Sequence, residues 1–164
     1  IQDQLAEGLP WLDRVYGICE TITDIKNGQK FVSANRYVGK GQYEQVMPCE
    51  ELGNFCFFSL KDPQETIPSD RNRIKCPFSL IFWFDMRKVS LPTDERNIEQ
   101  IKDQILGILD ELHNPYLTIT RIYEKWQNVF SEYTYDIVAN HYLMSPYAGI
   151  RIEGYIEARV SCIK

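Results

Sequence analysis

The two histidines are the residues of this chain that could most readily take part in acid–base or metal chemistry. His113 precedes Asn114-Pro115 in the last turn of a predicted helix, where the negative end of the helix dipole favours an imidazole. His141 lies in an irregular segment with Asp136 and Asn140 nearby, and we interpret it as a surface or hydrogen-bonded histidine. Neither belongs to an H-E-x-x-H or H-x-H pattern, so the sequence does not predict metal-dependent hydrolysis.

Cysteine usage indicates free thiols. The chain has five cysteines, an odd number, and no C-x-x-C pair. A zinc site is the less favoured alternative, because tetrahedral thiolate sites usually draw on closely spaced ligand pairs. We expect reduced, small core or half-buried residues of an intracellular protein at all five positions, which are Cys19, Cys49, Cys56, Cys76 and Cys162.

Other catalytic patterns do not occur in the chain. G-x-S-x-G, G-x-x-x-x-G-K-[ST] and Glu-x-Lys are missing, and Gly39-Lys40-Gly41 is too short to cradle a phosphate. Gln100-Ile101-Lys102 falls in a predicted helix, where the geometry of a two-metal nuclease is wrong. The acidic pairs Glu50-Glu51 and Asp110-Glu111 are adjacent in sequence and diverge in space. The sequence therefore predicts a non-enzymatic protein with no catalytic, cofactor-binding or metal site.

Composition and charge further limit the class of protein to which this chain can belong. The chain has 164 residues, 44% of them hydrophobic and 25% charged, which favours one globular domain over residues 1–164. The net charge is −5, and the Lys and Arg residues are scattered, so a nucleic-acid groove is not predicted. The longest apolar run, Phe78 to Phe84, is far shorter than a membrane span of ~20 residues. Since Ile1 opens into a polar segment, we expect no secretory leader.

Helix and strand patterns alternate through the first half of the chain. Ile1 to Leu12 is a short amphipathic helix candidate that Pro10 must end or kink. Val15 to Asp24 and Lys30 to Val38 are predicted strands, joined at Asn27-Gly28, the dipeptide that favours a type I′ hairpin turn. Gly39 to Gly41 is a predicted turn, and further predicted strands cover Tyr43 to Met47 and Phe55 to Leu60.

The second half supplies the predicted central strand and a helix. Cys76 to Val89 is apolar on both faces at its centre, which is typical of a covered strand, and one cover could be another subunit. A Thr93 cap and the acidic residues after it begin a helix whose apolar stripe runs from Ile98 to Leu112.

Before the central strand, Lys61 to Lys75 reads as a long surface loop. After the helix we expect a strand over Thr118 to Tyr123, a short helix or turn within Val129 to Leu143, and a closing strand. Together these elements predict an α+β fold: an antiparallel or mixed sheet with one long helix packed on it, plus a short N-terminal helix.

The closing strand, Ile150 to Cys162, alternates apolar and charged residues. Successive side chains of a strand point to opposite faces, so one face is apolar and the other is polar. We predict contacts between copies on the polar face, at Arg151, Glu153, Tyr155, Glu157 and Arg159. Aromatic residues would supply the affinity, with Trp126, Tyr133 and Tyr147 the candidates nearest in sequence. An ordinary solvated strand face is the alternative interpretation.

Three segments carry a family resemblance. The run Leu143 to Gly154 resembles the closing segment of tail terminator, or tail-completion, proteins of tailed bacteriophages and prophages. Cys76 to Phe84 and Ile122 to Phe130 are similar to other parts of that family, and the order of elements also fits. The resemblance implies a structural subunit that forms a hexameric ring on the tail tube and meets the head-completion proteins. It also implies assembly in the host bacterial cytoplasm and a final place in the virion tail.

Two other functions remain open from the sequence. A small-ligand or protein-binding module would need only the aromatic surface. An enzyme of unrecognised type would need a pocket lined by the region Asp136 to His141 and the loop Lys61 to Lys75. A ring-forming subunit would differ from both in its mass in solution.

Overall fold

A computed structural model describes residues 1–61, 65–66, 73–89, 98–111, 117–134 and 144–159. The described residues form two sheets and three helices, which confirms the predicted α+β class. In chain order the elements are α1 (Gln2–Gly8), β1 (Arg14–Ile18), β2 (Glu20–Lys26), β3 (Gln29–Gly39), β4 (Gln42–Gln45), β5 (Phe55–Leu60), β6 (Glu65–Thr66), β7 (Arg73–Asp85), α2 (Ile98–Glu111), β8 (Leu117–Tyr123), α3 (Trp126–Val129) and β9 (Tyr147–Arg159).

The larger sheet has the strand order β1-β5-β7-β9-β8, with the two-residue β6 also paired to β7. Strands β1 and β5 are parallel, and the other pairs are antiparallel. β7 and β9 pair along their whole length, from Arg73 opposite Arg159 to Asp85 opposite Tyr147. This long ladder is the centre of the sheet.

The centre of β7 is covered on both faces, as the sequence predicts. Leu80, Phe82 and Phe84 are fully buried in a cluster that also contains Ile101 and Ile105 of α2. On the other face, side chains of β7 join a second cluster with members from β5 and from the turn after α3, including Ile81, Trp83, Phe55, Phe57 and Phe130. Both covers therefore come from the same chain.

A smaller sheet, β2-β3-β4, is built on the predicted hairpin. Asn27 and Gly28 have φ values of 51° and 77°, the positive values that a type I′ turn requires at both central positions. The register runs from Glu20 opposite Asn35 to Lys26 opposite Gln29. The hairpin prediction is confirmed, and Lys40 and its flanking glycines form the predicted turn between β3 and β4.

The predicted single strand Val15 to Asp24 is wrong, because the chain forms two strands that belong to different sheets. β1 ends at Ile18, and Cys19 is buried with its N–H donating to the Phe58 carbonyl at 2.7 Å. That bond fastens the end of β1 to the larger sheet, and the next residue starts β2 in the smaller one. Apolar periodicity continues across the break, so it does not reveal the change of sheet.

Helices α1 and α2 pack on one face of the larger sheet, and α3 packs on the other. α1 ends before Pro10, and Leu5 and Leu9 are fully buried with Leu80 of β7. α2 spans 14 residues and buries Ile101, Ile105 and Leu109 in the same cluster. The predicted cap at Thr93 and the residue Leu112 lie outside the described residues.

Two other predicted segments are described only in part. Within the predicted loop Lys61 to Lys75, Glu65–Thr66 pairs with Ile74 and Lys75 of β7. The short helix or turn expected within Val129 to Leu143 is described only at its start, where α3 ends at Val129 and a turn follows. Residues 135–143 lie outside the described residues.

An acidic residue in the centre of β7 should unfold the protein. We expect Ile81→Asp to abolish cooperative folding, because a buried carboxylate costs several kcal/mol of a total stability of about 5–15 kcal/mol and the Arg151 guanidinium opposite it already pairs with Glu132 and Glu153. Urea denaturation followed by far-UV circular dichroism measures this. The matched control is Ile25→Asp, where the native side chain is 77% exposed, and it should change stability by less than about 1 kcal/mol. A cooperatively folded Ile81→Asp protein would contradict the assignment.

Candidate partner-binding surface

Arg151 lies inside the subunit. In β9 it stands opposite Ile81 of β7, on the face of the sheet that the turn after α3 covers. Its side chain is only 1% exposed, and the neighbours Ile150 and Ile152 are fully buried on the opposite face. The polar face of β9 is therefore not a solvated surface at Arg151. The guanidinium predicted to contact another copy is buried in its own chain.

Four side chains of the same chain satisfy the guanidinium. Its Nη2 donates to Ser79 Oγ at 2.9 Å and to Glu132 Oε1 at 2.6 Å. Its Nε donates to Glu153 Oε1 at 3.0 Å, and Nη1 lies 3.4 Å from Ser131 Oγ. A buried charge is tolerated only when it is paired and hydrogen-bonded. The network thus holds the turn that contains Ser131 and Glu132 against the sheet.

Glu132 belongs to the same network. Burial alone would raise its pKa, but hydrogen bonds from Lys61 and Arg151 outweigh burial and hold the pKa below its ordinary value. Lys61 Nζ lies 2.8 Å from Glu132 Oε1. One carboxylate therefore links β9 to the end of β5 through two cations.

A stack of flat side chains lies at the other end of β9. The rings of Trp83 and Tyr147 are 5.0 Å apart and nearly parallel, at 13°. The guanidinium carbon of Arg87 lies 5.9 Å from the Tyr147 ring, and Asp85 holds the guanidinium with bonds of 2.7 and 3.0 Å. Hydrogen bonds from Arg87 lower the pKa of Asp85. The main-chain N–H of Asp85 donates to Asn54 Oδ1 at 2.8 Å.

The stack forms one wall of a pocket of about 200 Å³, here called the aromatic pocket. Trp83 and Phe130 are nearly fully buried in it, whereas Trp126 of α3 is 39% exposed and so lies at its opening. Gly149 lies close to the neighbouring strand, and an added Cβ would be 3.0 Å from the Phe82 carbonyl oxygen, a tight contact. The full lining is Trp83, Glu124, Lys125, Trp126, Gln127, Phe130, Tyr147, Ala148 and Gly149.

The structure brings together two of the three predicted aromatic residues. Trp126 and Tyr147 both line the aromatic pocket. Tyr133 does not, because it is 4% exposed and its ring packs edge-on against Phe57 at 6.1 Å. Tyr133 is therefore a core residue of the subunit.

Two of the remaining predicted residues of β9 lie at a second cleft of about 370 Å³. Glu153 and Tyr155 line it, and the Nζ atom of Lys75 lies 4.5 Å from the Tyr155 ring. Glu157 is half-buried opposite Lys75. The Arg159 side chain lies outside the described residues. Lys61, Lys75, Thr120 and the apolar Pro77 and Phe78 complete most of the cleft.

Sequence reasoning missed Trp83, Asp85, Arg87, Lys61 and Glu132 as parts of this surface. Asp85 and Arg87 are two residues apart at the end of a predicted strand, a spacing that can place a carboxylate and a guanidinium on one side. That spacing was the available signal. Lys61 and Glu132 are far apart in sequence, and only the folded chain brings them together.

The thiols that the structure describes are free and give no sign of reactivity. Cys19, Cys49, Cys56 and Cys76 are unpaired, and burial raises the pKa of Cys19 and of Cys56 to about 12. Thiolates at such positions are scarce near neutral pH. In the described ranges, no group of three or more His, Cys, Asp or Glu side chains is placed to hold a metal ion. Cys162, His113 and His141 lie outside those ranges.

The described helices are all too short or too polar to cross a bilayer. No protein family, no curated protein and no solved structure matches this chain.

Loss of the Arg151 guanidinium should destabilise the subunit. We expect Arg151→Met to lower the free energy of unfolding by roughly 2–3 kcal/mol, because Glu132 and Glu153 lose a partner in a half-buried site. Urea denaturation provides the measurement. Arg121→Met, on the exposed side of the edge strand β8, is the matched control and should cost less than about 1 kcal/mol. Equal losses in the two variants would show that the network adds nothing.

The network should also make stability depend on pH. The folded-state pKa of Glu132 lies below its ordinary value of 4.5, so the unfolded chain binds more protons in acid. The contribution of Glu132 is fully present above the unfolded-state pKa and is lost as the pH falls through the folded-state pKa. The stability difference between the wild type and Glu132→Gln should therefore shrink from about pH 6 towards about pH 3. Urea titrations across that range test this, with the exposed Glu50→Gln as background. A difference that stays constant with pH would contradict it.

Proposed function

We propose that this chain is a non-enzymatic structural subunit of a phage or prophage tail. In this proposal it is a tail terminator that forms a hexameric ring on the tail tube and meets the head-completion proteins. It would assemble in the host bacterial cytoplasm and remain in the virion tail. The observation that carries the proposal is the aromatic pocket, where a half-exposed Trp126 adjoins Trp83, Tyr147 and, behind it, Arg87.

The composition of this surface suits protein contact. Aromatic residues and Arg are enriched in the cores of protein interfaces, and Trp, Tyr and Arg dominate their energetic hot spots. Trp83 and Tyr147 are held rigidly by their stacking and by the Asp85–Arg87 pair. A rigid aromatic surface loses little conformational entropy when a partner binds, which favours affinity.

The half-buried charges of β9 have a secondary role in the proposal. Pairs of opposite charge across neighbouring strands contribute about 0.2–1 kcal/mol each, so Glu153 and Glu157 would select register and partner rather than supply affinity. The net charge of −5 suits a ring through which DNA passes without being held. As the sequence predicts, the subunit would be one domain, with one long helix packed on the sheet.

A specific observation favours a second candidate, a small-ligand binding module. The cleft beside β9 has about 370 Å³, and its lining combines two ammonium groups with one carboxylate, a hydroxyl and an aromatic ring, at Lys61, Lys75, Glu153, Thr120 and Tyr155. Such a combination suits a small anionic ligand with an apolar portion. A module of this kind would remain a monomer or dimer, so solution mass separates the two candidates.

Shortening Trp126 should weaken assembly and leave the subunit intact. We expect Trp126→Ala to reduce subunit association at least about tenfold, because a hot-spot tryptophan contributes about 2 kcal/mol or more. Its melting temperature should change little, since the side chain is 39% exposed. Sedimentation velocity over a concentration series measures association in solution. Assembly on purified tail tubes measures association for rings that close only on a tube.

Tyr37→Ala is the control for this variant. Tyr37 is 57% exposed on the smaller sheet, outside the aromatic pocket, and its removal should leave assembly unchanged. A wild-type chain that forms no ring in solution or on tail tubes would overturn the proposed function. A clear enzymatic turnover would do the same.

A further inference from the structure

The hairpin of β2 and β3 projects from the body of the subunit. Its last firm attachment is at Val32, whose N–H donates to Thr134 Oγ1 and whose carbonyl accepts from the Thr134 N–H, both at 2.9 Å. From Thr23 to Lys30, every residue with a described side chain is exposed. At about 3.3 Å per residue, the tip lies roughly 13 Å beyond Thr23. We call residues 24–30 the arm.

The arm carries an aliphatic side chain next to a charge. Ile25 is 77% exposed, more than any other large hydrophobic residue of the described chain. It stands directly opposite Lys30 in the ladder, so the two side chains project from the same face. Asp24 precedes Ile25 in the strand and is also exposed. Most of the Ile25 side chain is therefore available for contact with a partner.

The aromatic pocket has the complementary features. Its volume of about 200 Å³ suits one branched aliphatic side chain, since apolar cavities of about 150 Å³ take up benzene. Its lining includes one carboxylate and one ammonium, at Glu124 and Lys125. Glu124 shares Lys102 with Glu99, so these three groups together carry a net charge of −1. The pocket therefore offers aromatic side chains beside a carboxylate that keeps acceptor capacity.

We propose that Ile25 of one copy inserts into the aromatic pocket of a second copy of this chain. Lys30, which lies on the same face of the hairpin as Ile25, then faces Glu124. The arm and the pocket are different parts of the surface, so the contact is head-to-tail, the kind that generates rings when the rotation closes. This inference rests on the proposed ring and names the contact that builds it.

The first test changes the arm and the pocket separately and then together. Ile25→Asp should weaken subunit association roughly 10- to 100-fold, because it removes one buried aliphatic side chain and places a carboxylate against aromatic rings and the Glu124 carboxylate. Lys30→Glu and Glu124→Lys should each weaken association by roughly two- to fivefold, and the double variant should regain the wild-type value. Sedimentation velocity with the full chain, or assembly on tail tubes, gives the readout. Melting curves check that each subunit remains folded.

The second test traps the contact by cross-linking. A chain with Ile25→Cys is mixed with a chain carrying Trp126→Cys under mild oxidation, and we expect a disulfide between the two variants. Neither variant alone should form this cross-link. Val38→Cys, 48% exposed on β3 outside the arm, is the matched control and should not cross-link to Trp126→Cys.

The outcomes separate this inference from the proposed function. If the wild type assembles and Ile25→Asp assembles equally well, the contact is wrong and the ring proposal stands. Self-linking of Ile25→Cys, with no mixed product, would show an arm-to-arm contact and would also overturn it. If the wild type assembles neither in solution nor on tail tubes, the proposed function fails and this inference fails with it.

Discussion

The buried guanidinium of Arg151 is the constraint on which much of this structure depends. A cation that is 1% exposed costs several kcal/mol unless it is paired, and Ser79, Glu132 and Glu153 supply the pairing. Glu132 can reach Arg151 only if the turn after α3 lies flat on the sheet. The position of this turn therefore follows from the need to compensate one charge.

That turn fixes the positions of the segments before and after it. Before it, Phe130 and α3 are held against β9, which sets the place of Trp126 in the aromatic pocket. After it, Thr134 exchanges two hydrogen bonds with Val32 and fastens the base of the β2–β3 hairpin. The pocket and the arm are thus attached to opposite ends of one short turn. Their relative placement in the subunit is fixed by the same buried ion pairs, which is what a repeating head-to-tail contact requires.

Local signals in the sequence predicted much of the fold. Asn27-Gly28 identifies the hairpin because both residues tolerate positive φ, and the aromatic run Phe55 to Leu60 identifies β5 without ambiguity. The centre of β7 is equally clear, since six of seven residues from Phe78 to Phe84 are apolar. The break at Cys19 gave no such signal, because a strand that ends in one sheet and a strand that begins in another can share one periodicity.

The candidate site was harder to predict for a physical reason. Alternation in a strand tells which residues share a face, but it does not tell what covers that face. Arg151 and Glu153 were correctly placed on the same polar face, yet the cover over that face comes from Ser131 and Glu132, 20 and 19 residues away from Arg151. A charged side chain on an alternating strand can therefore form ion pairs inside its own subunit as well as contacts at the surface.

The positions of these residues give charged groups and apolar area different roles. Within the subunit, the Arg151 guanidinium is shielded from water, and its pairing with Glu132 stabilises the fold. At the aromatic pocket, the charged groups line an opening where solvent screens them, so they can only orient a partner. Apolar burial is not screened, and Trp126 and Tyr147 are the residues of this surface with area left to bury. Binding there must draw its affinity from aromatic contact and its direction from the flanking charges.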